Sequence, residues 1–466
     1  MASLAFLGAC GGDSSGDGGT SDPVGSASPG GTPTPTPPGT PTNIRSGSRG
    51  KLATFTEADG TTYNALQIPN SSSWLVDAAA PVQGLYGYGQ SNAGGDTPPG
   101  STAPIRSALF PNTVVGGSKG FFAYGTEAVP DASAAPFVDL YDPTVHISNL
   151  AATLTAFAAE RVSRDAGRPP TGIYSFTVYE DGEPISTFQR NAPAPHNDFA
   201  LLLNDVRRAT ASARLYGRDF AVPGVLYIQG EYATTGYADS LRALAADIAT
   251  SITSITGQRT RPRLLVQQIN QTDTSGNASG VELDQLKVAR EGGDVVLVGP
   301  MYQGPLSDGV HQTTIGRMMQ ADVAALVFDR ARRGLSFTPL WPTSVVRNAQ
   351  TIDVTFALPG AALAIDGDFV PPTANHGFTY EDGGGVIPIS TVQLLDERTV
   401  RIALSTTPNG EGQLKYALGN ENVADGYAGG RGNLYSEAPT ESVYYRLGYA
   451  VPRKPRYYAV RFSAAV

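Results

Sequence analysis

From about residue 80 to residue 334 the chain alternates between two apolar patterns, and this restricts its folds more than any other feature. Val82–Tyr88, Thr171–Tyr179, Val222–Ile228, Leu264–Val266 and Val295–Val298 are short and largely apolar, as strands buried on both faces are. Between them lie segments with apolar residues at helical spacing. These are Asn149–Val162 with Gly167 as a stop, Asp198 to near Gly217, and a stripe of Leu241, Leu244, Ile248, Ile252 and Ile255 closed by Gly257. A short helix is predicted at Leu283–Leu286, and a last one from Thr314 to about Arg333 with Met318, Val323, Leu326 and Phe328. Strand–helix alternation predicts an α/β fold with a mainly parallel sheet and helices on both faces. Active sites in such sheets lie beyond the carboxyl ends of the strands.

The flanks read differently. Leu52–Thr56 and Tyr63–Ile68 are expected to be short strands, with folded structure beginning near Lys51. We place one domain at 45–340, interrupted by a Gly/Pro-rich insertion at 93–145 that carries Phe110, Phe121, Phe122 and Tyr124. A long insertion beside a candidate site shapes binding more often than it stabilises a fold. Beyond Trp341, Thr351–Phe356, Thr399–Leu404 and Gln413–Leu418 alternate polar and apolar, with turn residues between them and no helical period. Residues 345–466 therefore read as an antiparallel β-domain of sandwich type. Tyr444-Tyr445 and Tyr457-Tyr458 are expected to pack in its strands, the alternative being a platform on which sugar rings stack.

Residues 11–44 are Gly, Ser, Asp, Thr and Pro around Thr32–Pro38, a composition that buries almost nothing and predicts a disordered tether. At roughly 3 Å per extended residue it would span up to about 100 Å. A glycosylated stalk is the alternative. Cys10 is the one cysteine of the 466 residues, so no intrachain disulfide forms. Residues 1–10 end in Leu7-Gly8-Ala9-Cys10, which resembles a bacterial lipobox, although no Lys or Arg precedes the apolar stretch. That resemblance implies cleavage before Cys10, lipidation of its sulfur, and an extracytoplasmic lipoprotein of the periplasm or outer membrane. Membrane association is expected through that anchor alone, because we find no apolar run of about 18 residues. The net charge of −9 argues against nucleic acid as a partner.

Three stretches carry candidate chemistry, each after a predicted strand. Gly89-Gln90-Ser91-Asn92 follows the first, with Ala93-Gly94-Gly95 too small to continue it. A serine there exposes its hydroxyl beside backbone N–H groups able to stabilise an oxyanion, although an ordinary polar turn uses the same residue types. Gln229-Gly230-Glu231 follows the Val222–Ile228 strand, and Gly182 follows Thr171–Tyr179. Asp308-Gly309-Val310-His311 lies before the last helix, where His311 can take the Ser91 proton and Asp308 can accept from its other nitrogen. His146, His196 and His376 read as structural or solvated, and no cysteine pair or His-x-x-x-His spacing suggests a metal or other cofactor.

These three motifs, in this order, resemble the SGNH hydrolase superfamily, and within it the sialate O-acetylesterase-like branch that includes carbohydrate esterase family six. The resemblance covers about residues 80–334 and implies a flavodoxin-like three-layer α/β/α domain. It implies Ser91 as nucleophile, His311 as base and Asp308 as its partner, with the Ser91 and Gly182 N–H groups and the Gln229 side chain as oxyanion donors. Asp181-Gly182-Glu183 departs from the Gly-Gly-Thr usual in that branch. Glu231 and Asn92 are candidates for orienting the site. The activity implied is a serine esterase removing O-acetyl groups from a carbohydrate, with no cofactor. The alternatives are a lipid or polyester esterase of the same fold, for which the insertion looks too polar, and a surface glycan-binding lipoprotein without turnover. An intact Ser/Asp/His set argues against the last.

Overall fold

The computed structural model describes residues 42–47, 50–56, 62–67, 74–76, 81–94, 114–116, 138–139, 151–168, 172–215, 217–232, 235–270, 280–308, 310–418 and 430–466. Cys10, the expected tether up to residue 41, His146 and most of the 93–145 insertion lie outside these residues. The first described strand, Thr42–Gly47, overlaps the last three positions expected to belong to the tether. It pairs with Gly50–Thr56, which pairs with Thr62–Gln67 and then Trp74–Val76, in a separate antiparallel sheet.

The alternating region forms a parallel sheet. Its elements are β1 (Val82–Gly89), α1 (Ser91–Gly94), α2 (Ala151–Asp165), β2 (Ile173–Tyr179), α3 (Asp198–Leu215), β3 (Phe220–Ile228), α4 (Tyr237–Thr256), β4 (Arg263–Gln268), α5 (Val281–Glu291), β5 (Val295–Pro300) and α6 (Thr314–Arg332). The five strands run in spatial order 2-1-3-4-5, a doubly wound order whose switch point lies between β1 and β3. Two short strands from the expected irregular insertion extend the sheet. Val114–Gly116 runs parallel beside β2, and Val138–Asp139 runs antiparallel at the edge. Runs of three and two residues carry no readable period, so the sequence showed only a loop.

Side-chain alternation sorts the sheet's two faces. Tyr86, Tyr88, Tyr174, Phe176, Val225 and Tyr227 pack in one buried cluster with α3, α4 and α5. Leu85, Ile173, Leu226 and Ile228 pack in the other with α2 and α6. On this second face small residues decide the spacing. A side chain at Gly87 would collide with Thr177 and Ala152, so the alanine-rich α2 lies close against β1 and β2. The α4 stripe is buried as its spacing predicts, and Gly257 ends that helix with φ 74°.

Pro223 lies within β3, between two neighbours, where proline is normally excluded. A register shift resolves the conflict. Gln83 pairs with Ala221 and Leu85 with Gly224, which leaves Val222 and Pro223 in a bulge. The Gln258 amide satisfies the backbone there, accepting from the Val222 N–H at 2.7 Å and donating to its carbonyl at 3.0 Å.

Residues beyond Pro342 form antiparallel sheets. Pro342–Asn348, Thr351–Phe356, Thr399–Leu404 and Ile389–Leu394 make one, in that order. Gly385–Val386, Phe378–Asp382, Gly412–Tyr416 and Phe462–Ala465 make a second. Leu363–Ile365, Leu434–Glu437 and Arg456–Tyr458 make a third. This region shares its core with the α/β layers: Ile352, Phe378 and Phe462 belong to the same buried cluster as Tyr86 and Leu264. Gln268, at the end of β4, donates to the Arg461 carbonyl at 3.0 Å and accepts from its N–H at 2.7 Å. Helix α6 is buried on two sides, so Arg317, Gln320, Asp322 and Asp329 are covered as well as its apolar stripe. Asp322 accepts from the Ser442 hydroxyl and the Val443 N–H.

Tyr444 and Tyr445 sit in a one-turn helix, Val443–Arg446, where strand packing was expected. Ser442 caps it, its hydroxyl oxygen accepting from the Tyr445 N–H at 3.0 Å. Tyr444, Tyr457 and Tyr458 are buried and only Tyr445 is exposed, so the four do not form a stacking platform. Tyr444 stacks on Phe157 and donates to the Leu154 carbonyl at 2.7 Å, joining the C-terminal region to α2. Tyr444→Ala is therefore expected to destabilise the fold by about 3–5 kcal/mol. Urea denaturation followed by both tryptophan fluorescence and far-ultraviolet dichroism should still report one coincident transition.

Candidate active site

β1 and β3 end at the same level, and two glycines turn the chain there. Gly89 has φ 138°, and a Cβ on it would lie 2.0 Å from the Ile228 carbonyl oxygen, so no other residue fits. The Gln90 N–H donates to that oxygen at 2.9 Å. The Gln90 side chain then accepts from the Gly230 N–H at 3.3 Å, tying the first motif to the second. The chain leaves this corner directly into α1, with Ser91 as its first residue.

Across the switch point stands the loop after β5. Asp308 Oδ1 accepts from the N–H groups of Val310 at 3.0 Å and His311 at 2.7 Å, which winds the loop around the carboxylate. Asp308 Oδ2 lies 2.6 Å from His311 Nδ1. His311 Nε2 lies 2.8 Å from Ser91 Oγ. Carboxylate, imidazole and hydroxyl thus form one hydrogen-bonded chain from residues up to 220 positions apart. Burial pushes the Asp308 carboxyl up, but the His311 ring and the two backbone N–H groups prevail and hold it below the ordinary carboxylate range. It remains ionised at neutral pH, as a partner for the imidazole must. Thr313 closes the loop by capping α6, its hydroxyl accepting from the Gly316 N–H at 3.1 Å.

Asn92 and Glu231 brace this chain from behind. Asn92 Nδ2 donates to Glu231 Oε1 at 2.9 Å and to the Val310 carbonyl at 3.3 Å. Its Oδ1 accepts from the Gln312 N–H at 3.1 Å. The amide therefore grips the backbone on both sides of His311, while Glu231 fixes the amide. Glu231 is buried, and its Oε2 has no hydrogen-bond partner among the described residues. Burial pushes its pKa up, against its own backbone N–H, Asn92 and the nearby His311.

The expected oxyanion donors are placed less simply. Gly182 lies in an exposed turn after β2 with φ 69°, and the start of that turn is tied to β1 by the Glu180 N–H donating to the Gly89 carbonyl at 3.1 Å. Gln229 is fully buried, and its Nε2 donates to the Glu183 carbonyl at 3.1 Å. Its Oε1 accepts from Tyr227 at 3.3 Å. Gln229 thus fastens the turn that carries Gly182. His196, expected to be structural or solvated, faces Glu180, with Nδ1 at 3.0 and 2.9 Å from its two oxygens. That pair escaped sequence reading because no short motif joins positions 16 apart; Glu180-Asp181-Gly182-Glu183 was the available signal. His376 lies in a short turn of the C-terminal region, its N–H donating to the Thr373 carbonyl at 3.0 Å.

No family model matches the chain, and no curated protein is similar to it in sequence. Among solved structures, a carbohydrate acetylesterase from Xanthomonas citri has the same overall fold. It is 14% identical with a TM-score of 0.52, covering 87% of this chain and 85% of that one. An Arabidopsis thaliana protein is 17% identical over 53% of this chain and 98% of its own, with a TM-score of 0.34. A putative GDSL-like lipase from Parabacteroides merdae is 10% identical over 55% and 98%, with a TM-score of 0.27. The likeness to the acetylesterase is one of superfamily-level fold: an α/β domain with a parallel sheet, joined to antiparallel sheets.

Removing the Asn92 amide should loosen the His311 loop without unfolding the chain. In Asn92→Ala the Gln312 N–H loses its acceptor, and its amide exchange should quicken by about tenfold or more while exchange in β3 is unchanged. Hydrogen–deuterium exchange of peptides spanning 304–316 and 220–228 measures both.

Proposed function

We propose that the protein is a serine esterase of the SGNH hydrolase type that removes O-acetyl groups from a carbohydrate. The observation that carries this reading is the unbroken hydrogen-bond chain from Asp308 through His311 to Ser91, at 2.6 and 2.8 Å. The acetylesterase of like fold supports the choice of substrate class, as does the resemblance of the three motifs to the sialate O-acetylesterase-like branch, carbohydrate esterase family six included.

In this reading Ser91 Oγ attacks the ester carbonyl as its proton passes to His311 Nε2. Asp308 holds the Nδ1–H and stabilises the imidazolium. The negative charge developing on the carbonyl oxygen is met by the N–H groups of Ser91 and Gly182. The Gln229 amide fixes the Gly182 turn through the Glu183 carbonyl, and we assign its second N–H as a further oxyanion donor. His311 then returns the proton to the departing sugar oxygen. A water deprotonated by the same nitrogen attacks the acetyl-enzyme, and acetate leaves. Asn92 and Glu231 are positioning residues, acting through the His311 loop. Residues 345–466 are assigned as a β-sandwich-like domain that covers α6 and thereby supports that loop.

We assign residues 1–10 as a lipoprotein signal-like segment and 11–44 as the tether, so that in this reading the esterase is held outside the cytoplasm on a lipid anchor at Cys10. Labelled palmitate should enter the wild-type chain and not Cys10→Ala; an unlabelled wild type removes the anchor from this reading. Among the described residues no helix is long and apolar enough to cross a membrane.

For the chemistry, Ser91→Ala and His311→Ala should each lower kcat for p-nitrophenyl acetate by about 10³-fold or more. Acetate release from a panel of acetylated glycans should vanish in the same variants. Retention of wild-type hydrolysis by Ser91→Ala would refute the assignment.

A further inference from the structure

The turn that bears Gly182 carries a group of ligating side chains that the esterase chemistry does not use. Glu180, Glu183 and His196 bring their ligating atoms within 4.8 Å of one another. Glu180 is buried at the end of β2, and both its oxygens lie against His196 Nδ1, at 3.0 and 2.9 Å. Glu183 is partly buried, and its Oε2 accepts from Thr187 at 3.1 Å. A third carboxylate closes the back. Asp198, the first residue of α3, is 4% exposed, and its carboxyl lies within hydrogen-bonding range of that of Glu180. Its Oδ2 is buried and has no hydrogen-bond partner among the described residues.

Three carboxylates around a single imidazole leave excess negative charge in a half-buried place. An imidazolium can balance only one of them. Asp198 accepts from its own N–H and faces the Glu180 carboxyl, but its second oxygen is buried with no donor among the described residues, which is costly unless a proton or a cation faces it. We propose that Glu180, Glu183 and His196, backed by Asp198, bind one divalent cation of the Mn²⁺ or Zn²⁺ class. Mixed imidazole and carboxylate donors suit these ions, whereas Ca²⁺ takes oxygen ligands. Around a cation with bonds of about 2.1 Å, neighbouring ligand atoms stand roughly 3.0–3.4 Å apart. The Glu180–His196 separation is already close to this, and the Glu183 carboxylate lies within 4.8 Å of both.

The cation would join the turn after β2 to the segment entering α3, with Gly182 held between two of its ligands. Its backbone attachments are those already described: the Glu180 N–H on Gly89 and the Glu183 carbonyl on Gln229. The site is independent of the esterase reading, and its test needs no turnover.

The full-length chain, stripped with EDTA and dialysed, is titrated calorimetrically with MnCl₂ and ZnCl₂, with CaCl₂ for comparison, and its thermal melting is followed in parallel. One equivalent of Mn²⁺ or Zn²⁺ should bind, with Ca²⁺ weaker, and saturation should raise Tm. Glu183→Gln and His196→Gln, which keep size and polarity, should each weaken binding by more than about tenfold. A wild-type chain that is folded by circular dichroism and takes up neither ion overturns the site; the facing carboxyls then share a proton. Binding unchanged in both variants places the ion elsewhere and overturns it equally.

Discussion

The approach of Gly89 to the Ile228 carbonyl is the contact on which the site depends. Two parallel strands normally keep their Cβ atoms clear of one another's backbone. Here the corner of β1 presses into the end of β3, with room for a hydrogen and nothing more. The contact places α1 directly above the switch point, and the Gln90 bridge to the Gly230 N–H locks the two strand ends together. A wider corner would carry Ser91 away from any loop that follows β5. Strain of this kind persists only where the surrounding packing over-determines it, and both β1 and β3 are central and buried.

The other half of the site depends on α6. His311 precedes that helix by three residues, so the position of the imidazole follows the helix through the Thr313 cap. The helix is held from both sides, by the parallel sheet beneath and by Ser442 and Val443 above. A loop with an exposed aspartate would ordinarily move freely. This one is confined by its own Asp308 turn, by the helix it leads into, and by the two-sided grip of Asn92. The C-terminal sheets thus bear on the candidate chemistry through packing, while their aromatic residues are spent on the core.

Electrostatics divides the site into two parts. Beside Ser91 the charge is balanced: a partly exposed carboxylate faces one imidazole and two N–H donors. Elsewhere around it lie the buried carboxyls of Glu231 and Asp198, each with one oxygen that has no partner among the described residues, and Glu180, which faces His196. The fold is shared with the Xanthomonas acetylesterase at 14% identity, because the sheet order depends on patterning and on small residues at the close contacts.

The periodic elements were legible in the sequence because burial on a sheet or against a helix imposes a period. Thr351–Phe356 and Thr399–Leu404 were readable to the residue, and the α4 stripe with its Gly257 stop nearly so. The motifs containing Ser91 and Gln229 could be picked out because each sits where a strand ends, and that of His311 because it lies in the loop between β5 and α6. Elements set by long-range contact could not be read: the two short strands that extend the sheet past β2, the bulge that admits Pro223, and the helical turn at Tyr444. Sequence by itself determined which side chains were available and where each strand would deliver them. Only the tertiary structure decided that residues 220 positions apart share a hydrogen bond, that Asn92 holds the loop and that Gln229 turns to the Glu183 carbonyl. Periodicity records what a segment buries, whereas hydrogen-bond partners depend on which segments the packed core brings together.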